Sequence, residues 1–445
     1  MKTLKNWART SLCTPKDILY PESEEEIINL VKICNENHTP IKVVGARHSY
    51  NDIFCAGKEG INISLKKFNA IESIDHEKHT VTMQAGIRIP SLIKQLKPNN
   101  LSLKNLGTNV FDSIAGACST GYHGSGIEHG IFVSDVLVFH IITPTGEKKI
   151  IKKSDAEFDI YAVGLGMLGI ITHVTLQCEP FYKLEVVEKK MSLEAIEADF
   201  KQLLAENDHF KFIWIPHTTD FMVWLGNRTD KEESSRFKKW MAYGWTGVMI
   251  NNFFHEALLF AASFKRSWVP SINRFMSRLL LPKEGEEARS VYASHWAFFL
   301  PHVLKQDVVE YAFKIEETFD VFRELIEMVE KTGIYVDTPI EVRFVKKDTY
   351  WLSPTQGEDV CFIGTKIHFP LRRQPEYFRY FSEVDRILLK HSGRPHWGKQ
   401  FRITTKDFEK NYKKWDDFWE FVDKEDPKGL FKNAFSKRLR GEREA

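Results

Sequence analysis

One short stretch constrains the fold more than any other: residues 43–52, Val-Val-Gly-Ala-Arg-His-Ser-Tyr-Asn-Asp. Ile41-Lys42-Val43-Val44 is a β-branched run with the composition of a buried strand. It stops at Gly45, a residue free to take the positive φ of a tight turn. Arg47, His48, Ser49, Asn51 and Asp52 follow at once, a dense polar set just past a strand end. A loop of this kind offers free backbone N–H groups to an anion, most often a phosphate. On these residues alone an ordinary polar loop is an equal reading.

A second stretch shifts the balance. Residues 113–126 read Ser-Ile-Ala-Gly-Ala-Cys-Ser-Thr-Gly-Tyr-His-Gly-Ser-Gly, between apolar strands. Small residues let backbone approach a ligand closely, and Ser and Thr hydroxyls bind phosphate oxygens. Two phosphate-type loops in one domain imply a long, pyrophosphate-bearing cofactor.

At 445 residues the chain is too long for one core and fits two domains. A hydrophobic share of 43% with 27% charged residues is that of a soluble globular protein. The formal charge of +2 gives no support to a nucleic-acid partner. Cys13, Cys34, Cys55, Cys118, Cys178 and Cys361 lie far apart with no Cys-x-x-Cys, so reduced, packed thiols are expected rather than disulfides or zinc ligands. The N-terminus lacks the apolar h-region of a secretory signal, which points to a cytoplasmic protein.

Along the chain, Ser23 with Glu26 reads as a capping box opening a helix whose apolar face is Ile27, Leu30, Val31 and Cys34. Strands are expected at 61–65, 71–75 and 80–85, and a helix at 89–96. Gly164-Leu165-Gly166-Met167-Leu168-Gly169 matches the dinucleotide fingerprint literally, but the next residues, Ile170-Ile171-Thr172-His173-Val174, read as a strand rather than a helix. The fingerprint reading therefore fails. His123, His129 and His140 share no metal-ligand spacing, and no metal site is expected.

From about Lys183 the pattern changes to strands at 184–190, 212–216 and 221–226, with helices expected over 193–206, 308–331 and 374–391. That is an antiparallel sheet backed by helices, an α+β cap. Residues 240–281 are rich in Trp, Phe and Leu, interrupted by Lys265, Arg266, Arg274 and Arg278. No charge-free run is long enough to span a bilayer. Packing into the cap or a dimer contact is favoured over peripheral membrane contact, which an aromatic and basic pattern also suits.

Three short matches converge in the last quarter. Glu341 and Arg343 share one face of a strand at 339–344, His368 and Lys366 share a face of another at 364–369, and Gly393-Arg394-Pro395-His396-Trp397-Gly398-Lys399 is turn-like. Taken singly, each has a structural explanation.

Together with the two loops, they resemble the FAD-linked oxidases of the vanillyl-alcohol-oxidase type, and within them the aldonolactone (gulono- and arabinono-1,4-lactone) oxidases and alditol oxidases, over nearly the whole chain. The resemblance implies an α+β fold: a two-subdomain FAD-binding domain of the PCMH type over 1–180, a cap domain with an antiparallel sheet over 181–395, and a segment, 396–445, returning to the flavin domain. It makes the cofactor FAD, tethered covalently through the histidine of Gly45-Ala46-Arg47-His48-Ser49. Its flavin contacts map to Val43, Val44, Gly45, Ala46, Arg47, His48, Ser49, Thr108, Ser113, Gly116, Thr120, Gly121, Tyr122, His123, Ile171 and His396. Its catalytic set maps to Glu341 and Arg343 on the substrate hydroxyls, His368 as base, and Lys399 beside developing negative charge. Gly107 falls where the family controls oxygen approach. The expected reaction is oxidation of a sugar 1,4-lactone, with O2 reduced to hydrogen peroxide. An alditol oxidase, or a dehydrogenase using a membrane electron acceptor, is the alternative.

Overall fold

The run Ile41–Val44 is a strand of a small parallel sheet, beside Ile61–Ser64, which in turn pairs with Asp17–Leu19. The structure is a computed structural model and describes residues 3–301, 303–373 and 377–442. Lys42, alternating with its apolar neighbours, does not reach solvent: it is 2% exposed, with Nζ donating to Leu165 O, Gly166 O and Phe431 O at 3.3, 3.0 and 3.2 Å. One buried amine thus ties the first strand, the glycine segment and the C-terminal segment together.

The helix Glu24–Glu36 starts where the cap residues place it. Ser23 accepts from Glu26 N, while the Glu26 carboxylate accepts from Glu22 N instead of completing the reciprocal box. Ile27, Val31 and Cys34 are its buried face. A five-stranded antiparallel sheet follows, ordered Lys148–Lys152, Val136–Ile142, Ile170–Gln177, Thr80–Gln84, Ile71–Asp75. The glycine segment at 164–169 leads directly into its central strand, as expected.

The second half is built on an eight-stranded sheet with antiparallel pairings: Glu287–Ala293, Lys183–Met191, Phe221–Thr229, His209–Trp214, Ile340–Val345, Val360–His368, Gln306–Lys314, Arg394–Pro395. Thr318–Thr332 and Phe378–Lys390, with the short helices Leu193–Ala198 and Phe200–Ala205, cover one face in a core of Phe210, Phe212, Phe322, Phe344 and Trp214. The mixed α+β class with an antiparallel cap sheet is as expected.

Three expectations are corrected. The helix expected over 308–331 is the strand Gln306–Lys314 followed by the helix Thr318–Thr332. Every residue of that strand but the last is buried, so the alternation that marks a half-exposed strand is missing. The helix over 193–206 breaks at Asp199. The helix over 374–391 begins at Phe378, and residues 374–376 lie outside the described residues.

Cys13 and Cys55 form a disulfide, with Cα atoms 5.4 Å apart, where reduced thiols were expected. The N-terminal hairpin folds back onto the loop after Val44 and brings together cysteines that sequence spacing separates. The other four cysteines are free and buried.

Residues 236–262 form one continuous helix, wound as a π-helix over Met241–Phe254, and Val269–Leu280 returns beside it. Leu259, Val269 and Met276 pack inward. Trp240, Trp245, Phe253, Phe264, Trp268 and Phe275 stay exposed, so these rings do not pack into the cap. Among the described residues no helix is long and apolar enough to cross a membrane.

Candidate active site

The strand Ile41–Val44 delivers Gly45–Ser49 to the mouth of a cavity of about 890 Å³. Gly45 is not the turn residue: the left-handed conformation falls on Arg47, at φ 62°. Glycine is required for a different reason, since a Cβ on residue 45 would lie 2.2 Å from Ser113 Oγ. The two loops read from the sequence touch there. Backbone N–H groups of Ala46, Arg47, His48 and Ser49 donate to no described group, leaving a row of amides for an anion.

Ser113 precedes the short helix Ile114–Thr120, which ends at Gly121 with φ 73°. Val43, Val44, Gly45, Ala46, Arg47, His48, Ser49, Ser113, Gly116, Thr120 and Ile171 all line this cavity, joined by Gly164–Gly166 and Leu168–Gly169. Thr108, Gly121, Tyr122, His123 and His396 lie outside its lining. Tyr122 Oη accepts from Gly107 N at 2.8 Å, and a Cβ on residue 107 would lie 2.8 Å from His123 O. Packing alone therefore demands glycine at 107.

His48 sits between Trp7 and Phe111, ring centroids 5.9 and 6.1 Å away. Burial, with Arg88, Lys399, Lys305 and Arg47 nearby, lowers its pKa to about 4, so the imidazole is neutral at pH 7. Tyr50 N donates to Gly398 O, and Asn51 Nδ2 to Trp397 O and Lys399 O, so this loop is hydrogen-bonded to the loop carrying His396 and Lys399.

A buried polar group stands on one face of the eight-stranded sheet. Arg343 Nη2 donates to Glu310 Oε1, and Nη1 to His123 O at 3.3 Å. His123 stacks on Phe362 at 3.7 Å, with Nε2 3.8 Å from Glu310. The rings of His123 and His396 are 5.5 Å apart, and His396 Nδ1 accepts from Gly398 N. Burial is the largest single influence on Glu310 and opposes its ionisation, but Arg343 together with His123, Lys399 and His396 outweighs it and holds the carboxyl well below the usual range. Burial pushes the Lys399 amine down while Glu310 draws it up. Arg343 Nε is buried with no hydrogen-bond partner and lies 3.9 Å from Glu341.

Glu341 pairs with Lys211 at 2.8 Å, which with Arg343 keeps it ionised despite burial. Glu341, Lys366 and His368 line a second cavity of about 1060 Å³ whose walls include Trp224, Tyr243, Trp296 and Phe299. His368 stands there near His255, ring centroids 6.0 Å apart, rather than in the cluster around Arg343. His129 stacks on His209 and His140 lies beside His173, away from His123's partners. Ligand atoms of His123, Glu310 and His396 lie within 4.8 Å of one another, but the guanidinium on Glu310 opposes a cation there.

Glu310, Lys211 and Lys366 were not singled out as site residues from sequence. A period-two reading of Val308, Glu310 and Ala312 would have placed Glu310 on the site face.

The cavity and its unpaired amides fit the FAD named by the matching domain. Residues 15–151 match an FAD binding domain, and residues 174–439 match D-arabinono-1,4-lactone oxidase. The chain is 33% identical over 438 residues to L-gulonolactone oxidase of Bos taurus, covering 98% of this chain and 97% of that one. It is 27% identical over 440 residues to L-gulono-1,4-lactone dehydrogenase of Mycobacterium tuberculosis, covering 98% of each. A solved cholesterol oxidase from B. sterolicum superposes with a TM-score of 0.79 at 17% identity, covering 98% of this chain and 96% of that one, a likeness of fold.

Proposed function

The chain belongs to the D-arabinono-1,4-lactone oxidase family and is an FAD-dependent oxidoreductase, and from that premise we propose that it oxidises an aldono-1,4-lactone with O2 as acceptor, releasing hydrogen peroxide. One observation carries the reading: the His48 loop, at the end of the FAD-type cavity, is hydrogen-bonded to the loop of His396 and Lys399, which stands beside the Arg343–Glu310 pair. The family match weighs against the alditol alternative. With this reading go the assignments of 1–180 to FAD binding, 181–395 to substrate and 396–445 to a segment returning to the flavin. Contacts from Phe431 to Lys42 and from Asn433 to Ile53 and Cys55 support the last.

Bound FAD supplies hydride acceptance and reaction with oxygen. The protein's part is orientation and charge. Glu341, ionised by Lys211, accepts from substrate hydroxyls, and Arg343, held by Glu310, donates to them. His368 takes the proton of the carbinol being oxidised. Lys399 holds positive charge where negative charge develops. His48, neutral at pH 7, carries the covalent link to the flavin. Thr108, Gly121, Tyr122, His123 and His396 support the flavin from the sheet side.

The exposed rings of 240–281 form the surface for peripheral membrane contact, which flotation with phospholipid vesicles tests.

The deciding experiment precipitates the protein with acid and offers it L-gulono- and D-arabinono-1,4-lactone in air. Yellow pellet, absent from His48→Ala, with one peroxide per lactone consumed, is the expected result. Colour in the supernatant would overturn the tether. Flavin reduction by lactone with slow return in air would replace oxygen by another acceptor. No reduction by any lactone would overturn the substrate class.

A further inference from the structure

The cavity face of the eight-stranded sheet carries an unmatched positive charge. Lys211 is matched to Glu341 at 2.8 Å, and Arg343 to Glu310. Of the other acids lining this cavity, Asp337 is paired with Arg266 at 2.8 Å, and Glu188 lies on the far side of Trp224 and Lys211 in the strand register. Lys366 sits on the other side, two residues along its strand from Gly364, the partner of Glu341. Among the described residues its amine makes no hydrogen bond and no ion pair. It lines the same cavity as Glu341 and His368.

An ammonium has three donors and no acceptor, and a carboxylate accepts only. Side by side, Lys366 and Glu341 therefore ask for different groups. Glu341 is matched by hydroxyls, which can donate to it. Lys366 is matched by an accepting oxygen; a hydroxyl can serve, but in a buried site its own proton then needs a second acceptor, whereas a carbonyl oxygen brings none. A polyol offers hydroxyls alone, whereas a lactone adds one acceptor-only carbonyl. Burial lowers the pKa of Lys366 against the pull of Glu341, a cost that an acceptor brought by the ligand relieves.

We propose that Lys366 is a specificity-determining residue whose ammonium receives the carbonyl oxygen of the lactone ring, so that the site selects a ring carbonyl over the all-hydroxyl chain of a polyol. The inference rests on the lactone reading and names the group that enforces it. A competing account makes Lys366 only a charge that steadies Glu341, in which case every hydroxylated ligand would depend on it equally.

The test compares L-gulono-1,4-lactone with the 1,4-anhydroalditol of the same ring, which lacks only the carbonyl. Binding is read by calorimetry without oxygen on flavin-loaded protein reduced beforehand with dithionite, so that lactone is not consumed. The wild type, Lys366→Met and Lys366→Arg are compared, each first checked for an unchanged oxidised flavin spectrum; flavin reduction by lactone is read separately on the oxidised wild type. The wild type should prefer the lactone roughly ten- to a hundredfold, Lys366→Met less than about threefold, and Lys366→Arg should recover most of the preference, as a charged hydrogen bond requires. Equal weakening of both ligands in Lys366→Met, or an undiminished preference, overturns the proposal. Lactone binding without flavin reduction in the wild type defeats the activity reading alone, and the binding comparison still decides the role of Lys366. A wild type that binds no lactone defeats both.

Discussion

Glu310 reaches past Gly364 to Arg343, so that a carboxylate and a guanidinium on strands separated by a third form one buried ion pair. A Cβ on residue 364 would lie 3.2 Å from the Glu310 carboxylate, a tight approach that the glycine avoids. Removing one partner leaves the other charge buried and unmatched. Glu310→Ala is expected to destabilise the fold by roughly 3–5 kcal/mol, while Glu310→Leu with Arg343→Met recovers most of that loss. Urea unfolding of the singles and the double reads this directly. Turnover should stay lost in the double, because the proposed function makes Arg343 the substrate's donor. A double variant as unstable as either single would show that the pair is not the source.

The Cys13–Cys55 disulfide closes the N-terminal hairpin over the His48 loop. Trp7 N donates to Arg47 O at 2.8 Å, Asn6 Nδ2 to Ser49 O at 3.0 Å and Thr10 Oγ1 to Tyr50 O at 3.1 Å. With the cysteines 42 positions apart in sequence, the cross-link is expected to contribute about 3–4 kcal/mol on chain-entropy grounds. Dithiothreitol should therefore lower the melting temperature of the wild type and leave that of Cys13→Ser unchanged. A wild-type melting temperature indifferent to reductant would remove the disulfide from the account.

What could be read from the sequence was what short-range chemistry dictates. The strand at 41–44 and the helix at 89–96 announce themselves by β-branched composition and by apolar spacing, and both stand where expected. The strand after the glycine segment was legible because its burial alternates residue by residue. Glu310 was hidden because its strand is buried almost throughout and mimics a core helix. The role of Gly45 was misread because the contact that needs it, Ser113, lies in a distant loop. Cys13 and Cys55 carry no spacing signal, since only the folded hairpin brings them together. Of the site, residues within one strand or loop could be grouped in advance. The pairings across strands, Lys211 with Glu341 and Glu310 with Arg343, could not.

Buried neutral histidines set the acid limit of stability. Burial lowers His48, His209, His217, His255 and His295 to about 4 from 6.5, and His129 and His396 to about 3. In each case the unfolded chain binds the proton first as pH falls. Their contribution is complete above pH 6.5 and is lost as pH drops towards 4 and below. The urea midpoint should be flat with respect to these groups above pH 7. Between pH 6.5 and 4 they add a falling slope, partly offset by Asp112, Asp135, Asp348 and Asp385, which burial raises to about 6, and by Asp307, raised to about 7. His209→Asn, which removes one such group, should shallow that slope. A slope that His209→Asn leaves unchanged would contradict burial of that histidine in the neutral form.

Lys42 is the position where stability and cofactor binding should separate most clearly. Its amine is bonded to Leu165 O, Gly166 O and Phe431 O, and both glycine-segment carbonyls belong to the wall of the FAD-type cavity. Lys42→Met keeps the length of the side chain but leaves three carbonyls short of a donor. Each buried carbonyl without a partner costs roughly 1–3 kcal/mol unless the segment moves to find one, and the glycines at 164, 166 and 169 let it move. The expected outcome is therefore local. Hydrogen exchange should rise over 164–169 and around 431, and flavin should leave a His48→Ala background more readily than with Lys42 present. The strands of the eight-stranded sheet should keep their protection. Protection lost uniformly over both halves would instead make Lys42 a general support of the fold, with no special part in holding the cofactor.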